Sequence, residues 1–172
     1  MTPAPIPVVA VVGKSGAGKT TLLEGLIAAL TARGLRVATV RNHVHEQDID
    51  APGKDTWRYA RAGAAVTMVN APNRLGMVRI VDRPRSLDEL AELAVAHAEI
   101  DILLAEGFRN TAPVRVEVVR AERSVEPLCA PGELFALVTD VDVLRRWPVP
   151  VFGLDQAAAL ADLIAERFLP GE

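Results

Sequence analysis

The hydrophobic pattern at the start of the chain predicts a strand, a loop and a helix. Residues 7–12 form a short apolar run rich in valine, which is typical of a buried strand. A Gly-rich stretch follows, and apolar residues then recur at helical spacing over residues 21–30. Gly34 is placed to end that helix near Arg33. A strand over residues 35–40 would complete a βαβ unit, which predicts parallel, right-handed pairing of its two strands.

Strand and helix patterns alternate along the remaining chain. Asp55 and Asp155 are predicted to cap helices that run to residues 62 and 168, and Gly63 is predicted to end the first of these. Ser86 and Glu89 have the spacing of a capping box for a helix that reaches His97. Further strands are predicted at residues 65–69, 76–81, 100–106, 114–119, 134–138 and 151–152. This order predicts an α/β fold of the P-loop NTPase type, with a mainly parallel sheet flanked by helices.

Composition places the chain among globular proteins. It has 172 residues, of which 50% are hydrophobic and 4% aromatic, and its formal net charge is −3. We expect one domain over residues 1–172, with a mobile tail at residues 1–5. Neither nucleic-acid binding nor membrane binding is indicated by this charge, and no apolar stretch approaches the ~18 residues of a membrane span. The single cysteine, Cys129, excludes an internal disulfide. A soluble, cytoplasmic protein is expected.

Residues 13–20 carry the most specific motif in the chain. They match the phosphate-binding P-loop: Gly, four residues, then Gly-Lys-Thr, between a strand and a helix. Backbone N–H groups and the helix start would hold phosphate, Lys19 would reach the β- and γ-phosphates, and the Thr20 hydroxyl would ligate Mg²⁺. The predicted nucleotide-binding residues here are Gly13, Lys14, Ser15, Gly16, Ala17, Gly18, Lys19, Thr20 and Thr21.

A P-loop protein also needs an acid near the metal ion and the γ-phosphate. Glu106 follows an apolar run at the predicted carboxyl end of a strand, which is the edge of the sheet where the P-loop lies. Glu106 is therefore predicted to act with Lys19 in catalysis and to help hold Mg²⁺. Asp101, at the other end of the same strand, is predicted to be structural. Asp48 and Asp50 complete the predicted metal site with Thr20 and Glu106.

Several polar residues leave two interpretations open. His43 and His45 could bind a transition metal together with Asp48 and Asp50, or could be ordinary loop residues. Asp140 could accept hydrogen bonds from N1 and N2 of guanine, or could be a turn residue. Lys14 could reach the nucleotide of a partner subunit, as in some dimeric P-loop proteins, or could be solvent-exposed. Lys54 and Arg58 could contact phosphate or a second substrate, or could face solvent.

Four stretches together resemble the molybdopterin-guanine dinucleotide biosynthesis adaptor protein (MobB) family. They are the P-loop at residues 13–20, Asp-Ile-Asp-Ala-Pro-Gly-Lys-Asp-Thr at residues 48–56, Ala-Gly-Ala at residues 62–64 and Asp-Ile-Leu-Leu-Ala-Glu-Gly-Phe-Arg at residues 101–109. The resemblance implies a homodimeric GTP-binding protein with weak GTPase activity. It also implies a partner, the molybdenum cofactor guanylyltransferase that attaches GMP to molybdopterin, and leaves open whether molybdopterin itself is bound.

One stretch departs from the family pattern. The family usually has a Lys-His pair and then a His-His pair ahead of Asp-x-Asp, whereas residues 41–46 read Arg-Asn-His-Val-His-Glu. His45 matches the pattern, and Asn42 and Val44 do not. Any role that needs the missing histidines is not expected here.

Two other functions are compatible with the residues. One is an ATP-dependent small-molecule kinase or ligase, and the other is a GTP-dependent metallochaperone. The residues offer Lys19 and Mg²⁺ for stabilising charge on phosphate, but no evident general base or arginine finger. Slow turnover, with GTP and Mg²⁺ as cofactors, is therefore expected.

Overall fold

The computed structural model describes residues 5–42 and 49–169. The predicted tail at residues 1–5 lies outside this range except for Pro5. Backbone contacts divide the chain into two units, one of residues 1–42 and 86–172 and the other of residues 43–85. That all of these residues form one domain stays a prediction.

The two units differ in the elements that they contain. The second unit contains α2 (Asp55–Arg61), β3 (Val66–Ala71) and β4 (Arg74–Arg79). The first unit contains β1 (Val8–Val12), α1 (Lys19–Ala32), β2 (Val37–Arg41), α3 (Leu87–His97), β5 (Ile102–Glu106), β6 (Val114–Val119), β7 (Ala136–Thr139), β8 (Val151–Phe152) and α4 (Ala157–Phe168), with short 3₁₀ turns at Pro131–Glu133 and Asp142–Arg146.

A six-stranded sheet forms the centre of the first unit. Its order is β2-β5-β1-β6-β7-β8, and every neighbouring pair is parallel. The predicted parallel sheet is therefore confirmed, but the predicted pairing of β1 with β2 is wrong. β5 lies between them, and its Leu104 is in register with both Val9 and Thr39. The reason is burial, since four of the five β5 residues are fully buried whereas β2 is half exposed and suits an edge.

Alternate residues of β1 divide between two apolar layers. Val9 and Val11 face a cluster that includes Leu26 and Leu30 of α1 and Ile164 of α4. The intervening residues Val8, Ala10 and Val12 face a second cluster, which includes Leu87 and Ala91 of α3. Because every β1 residue is buried, the loop that follows β1 starts from a rigid support.

The predicted ends of α1 and α3 are confirmed. Gly34 has a φ of 82°, its N–H donates to the Thr31 carbonyl (2.9 Å) and the Leu35 N–H donates to the Leu30 carbonyl (3.2 Å), which is the Schellman pattern. At α3 the Ser86 hydroxyl accepts from the Glu89 N–H (3.2 Å), and the Glu89 carboxylate accepts from the Ser86 N–H (2.8 Å).

The two predicted aspartate caps are each wrong by one residue. Lys54 is the N-cap of α2, and Asp55 is the first helical residue because the Arg58 N–H already donates to the Lys54 carbonyl (3.0 Å). Gln156 is the N-cap of α4. Its side chain accepts from the Gly153 N–H (2.7 Å) and closes a turn there, so the helix begins after Asp155.

The second unit pairs β3 with β4 as an antiparallel hairpin, separate from the parallel sheet. Both strands were expected, and their pairing is an addition to the predicted parallel architecture. Met68 lies opposite Met77, and both side chains are exposed, as are Val66 and Leu75 on the same face. A two-stranded hairpin is marginally stable by itself, so this exposed apolar face is a candidate for protein contact.

Asp101 is structural, as expected. Its carboxylate accepts from the Arg36 backbone N–H (2.7 Å) and pairs with the Arg36 guanidinium, which joins the start of β5 to the start of β2. The backbone hydrogen bond, followed by the guanidinium, lowers the pKa of Asp101.

We expect Asp101→Asn to be less stable than the wild type at neutral pH. A lowered carboxyl pKa means that the unfolded state binds more protons, so the stabilisation is present above the unfolded pKa and is lost as the pH falls through the folded pKa. Urea denaturation at several pH values should therefore show a difference at pH 7 that shrinks below about pH 4. A difference that is constant from pH 7 to pH 3 would contradict an ionic role.

β6 carries an acid inside the core. Glu117 is 1% exposed, and its two carboxylate oxygens accept from the N–H groups of Leu128 (2.6 Å) and Cys129 (3.0 Å). These bonds hold the chain after β6 against the sheet. Burial, and then the nearby Glu117 charge, raises the pKa of the Cys129 thiol to about 11. Cys129 is therefore a protonated core residue at neutral pH.

No helix among residues 5–42 and 49–169 is long and apolar enough to cross a membrane.

Candidate functional site

The loop between β1 and α1 has the backbone that the P-loop motif predicts. Gly13, Gly16 and Gly18 all have positive φ angles, of 142°, 75° and 100°. A Cβ at Gly13 would lie 2.5 Å from the Val118 carbonyl oxygen, so the loop leaves β1 in direct contact with β6. Only glycine tolerates both conditions. The loop passes straight into α1, whose first N–H groups are free to bind an anion.

Lys19 lies folded over this loop. Its ammonium donates to the carbonyls of Gly13 and Lys14, both at 3.1 Å. These are neutral acceptors that a phosphate would outcompete, because charge-assisted hydrogen bonds are the stronger ones. The Lys19 ammonium is thus held at the loop, and its contact with the β- and γ-phosphates stays a prediction.

Thr20 and Glu106 meet at the carboxyl edge of the sheet. The Thr20 hydroxyl donates to Glu106 Oε2 (3.1 Å), and Arg41 Nε lies 3.7 Å from Glu106 Oε1. The Glu106 side chain is 14% exposed. A hydroxyl and a carboxylate at the start of α1 are the oxygen donors that suit Mg²⁺, so these residues fit the ion that the motif implies. Their roles as ligands stay predictions.

The other candidate metal ligands lie outside the described residues or in the second unit. His43, His45 and Asp48 lie outside the described residues. Asp50 belongs to the second unit, where one carboxylate oxygen accepts from the Ala51 N–H (2.9 Å) and the other is buried without a partner among the described residues. Its place in a metal site stays a prediction. No group of three or more His, Cys, Asp or Glu side chains gathers in the described part of the chain.

A cleft of about 220 Å³ continues from the loop toward β7 and β8. Its lining includes Thr21, a predicted site residue, and Arg120, which directly follows β6 and was not predicted. Asp140 follows β7 at the same edge, and its Oδ1 accepts from the Ala121 N–H (2.7 Å). The remaining lining residues are Ala17, Gly18, Leu22, Val118, Val138 and Leu154.

Residues 120–124, immediately after β6, are the part of the site that the sequence analysis missed. Lys14 Nζ donates to the Ser124 hydroxyl (2.6 Å) and is half buried, so the solvent-exposed alternative for Lys14 is wrong. The Arg123 guanidinium packs on Gly16, within 2.8 Å of where a Cβ would be. Two arginines just after an apolar strand could have indicated an anion-binding site. The sequence does not show, however, that β6 lies beside β1, which follows only from the sheet order.

Comparisons with known proteins identify the family. The family model described as "MobB: Molybdopterin guanine dinucleotide synthesis protein B" matches residues 8–140. The molybdopterin-guanine dinucleotide biosynthesis adapter protein of Escherichia coli is 32% identical over 94% of this chain and 93% of its own. The protein of the same name from Haemophilus influenzae is 35% identical over 72% of this chain and 68% of its own.

The crystal structure of Bacillus subtilis MobB superimposes with a TM-score of 0.74 at 27% identity, covering 96% of this chain and all of that one. This similarity confirms the predicted P-loop NTPase-like fold. The match to the family model extends from β1 through the phosphate loop and β5 to Asp140. The chain belongs to the MobB family, molybdopterin guanine dinucleotide synthesis protein B.

Proposed function

We propose that this protein binds GTP with Mg²⁺ at the phosphate loop and acts as a homodimeric adapter in molybdopterin-guanine dinucleotide biosynthesis. In this proposal it assists the guanylyltransferase that joins GMP to molybdopterin. The observation that carries nucleotide binding is the Thr20–Glu106 contact beside a glycine loop that Lys19 covers. The assignment to this pathway is supported by the relatives, which are named as adapter proteins of molybdopterin-guanine dinucleotide biosynthesis.

Each group at the site has a separate task in this proposal. The N–H groups of the loop and of the first turn of α1 bind the phosphates, and Lys19 moves from the loop carbonyls to the phosphate oxygens. Thr20 and Glu106 would hold Mg²⁺, which neutralises phosphate charge when it is bound. The Thr20 hydroxyl donates its proton to Glu106 and keeps its oxygen lone pairs for a metal ion, so this bond is compatible with an occupied site.

Turnover is expected to be slow. Glu106, the acid that accepts from Thr20 of the loop motif, also pairs with Arg41 and is not free to activate water. Phosphate release from Mg²⁺-GTP by the wild type should stay below about 1 s⁻¹, the lower end of the kinase range. A faster rate would contradict an adapter role and favour an enzyme on the same fold.

A reconstituted guanylylation assay tests the pathway. The wild type, added to the guanylyltransferase with molybdopterin and Mg²⁺-GTP, should raise the yield of the dinucleotide product, and Lys19→Ala should not. Equal stimulation by both proteins would show that nucleotide binding is not how this chain assists the reaction. No stimulation by the wild type would contradict the adapter proposal.

The exposed apolar face of the hairpin supports the homodimer. Val66, Met68, Leu75 and Met77 share this face, and each of their side chains is at least 40% exposed. Light scattering should give the mass of two chains, and Met68→Glu should lower it toward one. A wild-type mass of one chain would contradict the homodimer.

A further inference from the structure

Residues 120–124 form a tight turn at the edge of the sheet where the phosphate loop lies. The turn follows β6, the neighbour of β1 on the side away from β5. The N–H groups of Arg123 and Ser124 both donate to the Arg120 carbonyl (2.9 Å each). The turn therefore presents the side chains of Arg120 and Arg123 from a closed backbone.

Two hydrogen bonds tie this turn to the rest of the site. The Ser124 hydroxyl accepts from Lys14 Nζ (2.6 Å), which fastens one end of the turn to the phosphate loop. The Ala121 N–H donates to Asp140 Oδ1 (2.7 Å), which fastens the other end to the residue after β7. The turn is thus held in place from both sides.

The Arg123 side chain lies beside the phosphate loop and has no charged partner among the described residues. Its guanidinium packs against Gly16, yet among the described residues it makes no side-chain hydrogen bond or ion pair, and it is exposed. Arg120 lies 3.5 Å from the Glu122 carboxylate, lines the cleft beyond the loop, and has a side chain that is 43% exposed. The N–H donors of Arg123 remain available to an anion bound in the loop.

The sheet order decides which part of a nucleotide the turn would meet. Thr20 and Glu106 mark the metal and terminal-phosphate end, and Glu106 lies on β5, on one side of β1. The turn and the cleft lie on the other side, along β6 and β7. A nucleotide with its terminal phosphate near Glu106 must therefore carry its α-phosphate and nucleoside past residues 120–124.

We infer that residues 120–124 are an arginine clamp on the diphosphate part of the nucleotide. Arg123 bonds the α- and β-phosphates that GDP and GTP share, Arg120 covers the nucleoside end of the cleft, and Asp140 positions the turn through Ala121. This inference rests on the proposed binding of a guanine nucleotide at the loop. It gives the site a cation from its own chain in addition to Lys19.

Calorimetric titration of Mg²⁺-GDP and Mg²⁺-GTP into Arg123→Ala tests the clamp. Loss of one charge-assisted contact should weaken both nucleotides by about tenfold, with the GTP-to-GDP affinity ratio unchanged. The melting temperature without nucleotide should match the wild type, because Arg123 has no partner to lose among the described residues. Arg167→Ala, an exposed arginine on α4, removes the same charge away from the site and should bind both nucleotides as the wild type does.

Three outcomes would overturn the clamp. Unchanged GDP and GTP affinities in Arg123→Ala would do so while leaving the proposed function intact, provided that Lys19→Ala loses binding. A loss confined to GTP would place Arg123 at the γ-phosphate instead. A wild type that binds neither nucleotide would remove both the clamp and the proposed function.

The role of Asp140 as a positioning residue needs a different probe, because a carboxylate there could also contact guanine. Magnesium pyrophosphate has no base. Asp140→Ala releases the Ala121 N–H and should weaken pyrophosphate binding about threefold, because the turn then keeps only its bond to Lys14. Asp140→Asn keeps an oxygen acceptor for that N–H and should retain the affinity. Equal weakening in both variants would contradict positioning through Ala121.

Discussion

Glu117→Ala is expected to lower the free energy of unfolding by about 3 kcal/mol, because it leaves one buried and one partly buried backbone N–H group without an acceptor. These are the N–H groups of Leu128 and Cys129, which both donate to the Glu117 carboxylate. Water cannot replace the carboxylate easily, since Glu117 is 1% exposed. Urea denaturation at pH 7 measures the loss.

Two further variants separate this mechanism from a simple loss of charge. Glu117→Gln keeps one oxygen acceptor but turns an amide NH₂ toward the second N–H, so it should lie between the wild type and Glu117→Ala. Glu133→Ala removes a carboxylate that also accepts from a backbone N–H, at Ala130 (2.8 Å), but is 53% exposed, and it should lose much less. Equal losses in Glu117→Ala and Glu133→Ala would show that burial of the acceptor is not the cause.

Gly13→Ala is expected to lower the free energy of unfolding by about 3 kcal/mol, the range of strained backbone and overpacked sites. It should also weaken Mg²⁺-GTP binding more than tenfold, because small displacements of a binding loop are costly. The new Cβ would lie 2.5 Å from the Val118 carbonyl oxygen, at a φ of 142°. Neither backbone can give way without moving the loop off β6, and the N–H groups of the loop would move with it.

Gly34→Ala is the matched control for this prediction. Gly34 also has a positive φ, of 82°, but no atom lies within 4 Å of the Cβ position, and it follows α1 away from the loop. It should lose about 1–2 kcal/mol from backbone strain alone and bind GTP as the wild type does. A Gly13→Ala protein with normal GTP affinity would contradict the view that contact with β6 sets the loop geometry.

Local chemistry explains what the sequence could predict about the site. The phosphate loop depends on glycines at fixed spacing between a strand and a helix, and all of these signals lie within about 25 residues. Glu106 could be placed because it ends an apolar strand, and the carboxyl ends of parallel strands share one edge. The Thr20–Glu106 contact follows from these two placements.

Non-local pairing explains what could not be predicted. The continuous apolar run of residues 102–105 is typical of a central strand, but it does not say which strand lies beside it, so the insertion of β5 between β1 and β2 was missed. For the same reason Arg123 was not among the predicted site residues, although it packs on Gly16, in the loop after β1. Glu117 gave a signal, an acid within a run of valines, but its two N–H partners lie more than ten residues later along the chain.

The most direct test of the central proposal is calorimetric titration of GTP and ATP, each with Mg²⁺, into the wild type and Lys19→Ala. We expect the wild type to bind GTP in preference to ATP. Lys19→Ala should lose most of that binding, because two charge-assisted contacts are worth roughly 100-fold together. A preference for ATP, or equal GTP binding by both proteins, would contradict a GTP-binding adapter that uses this loop.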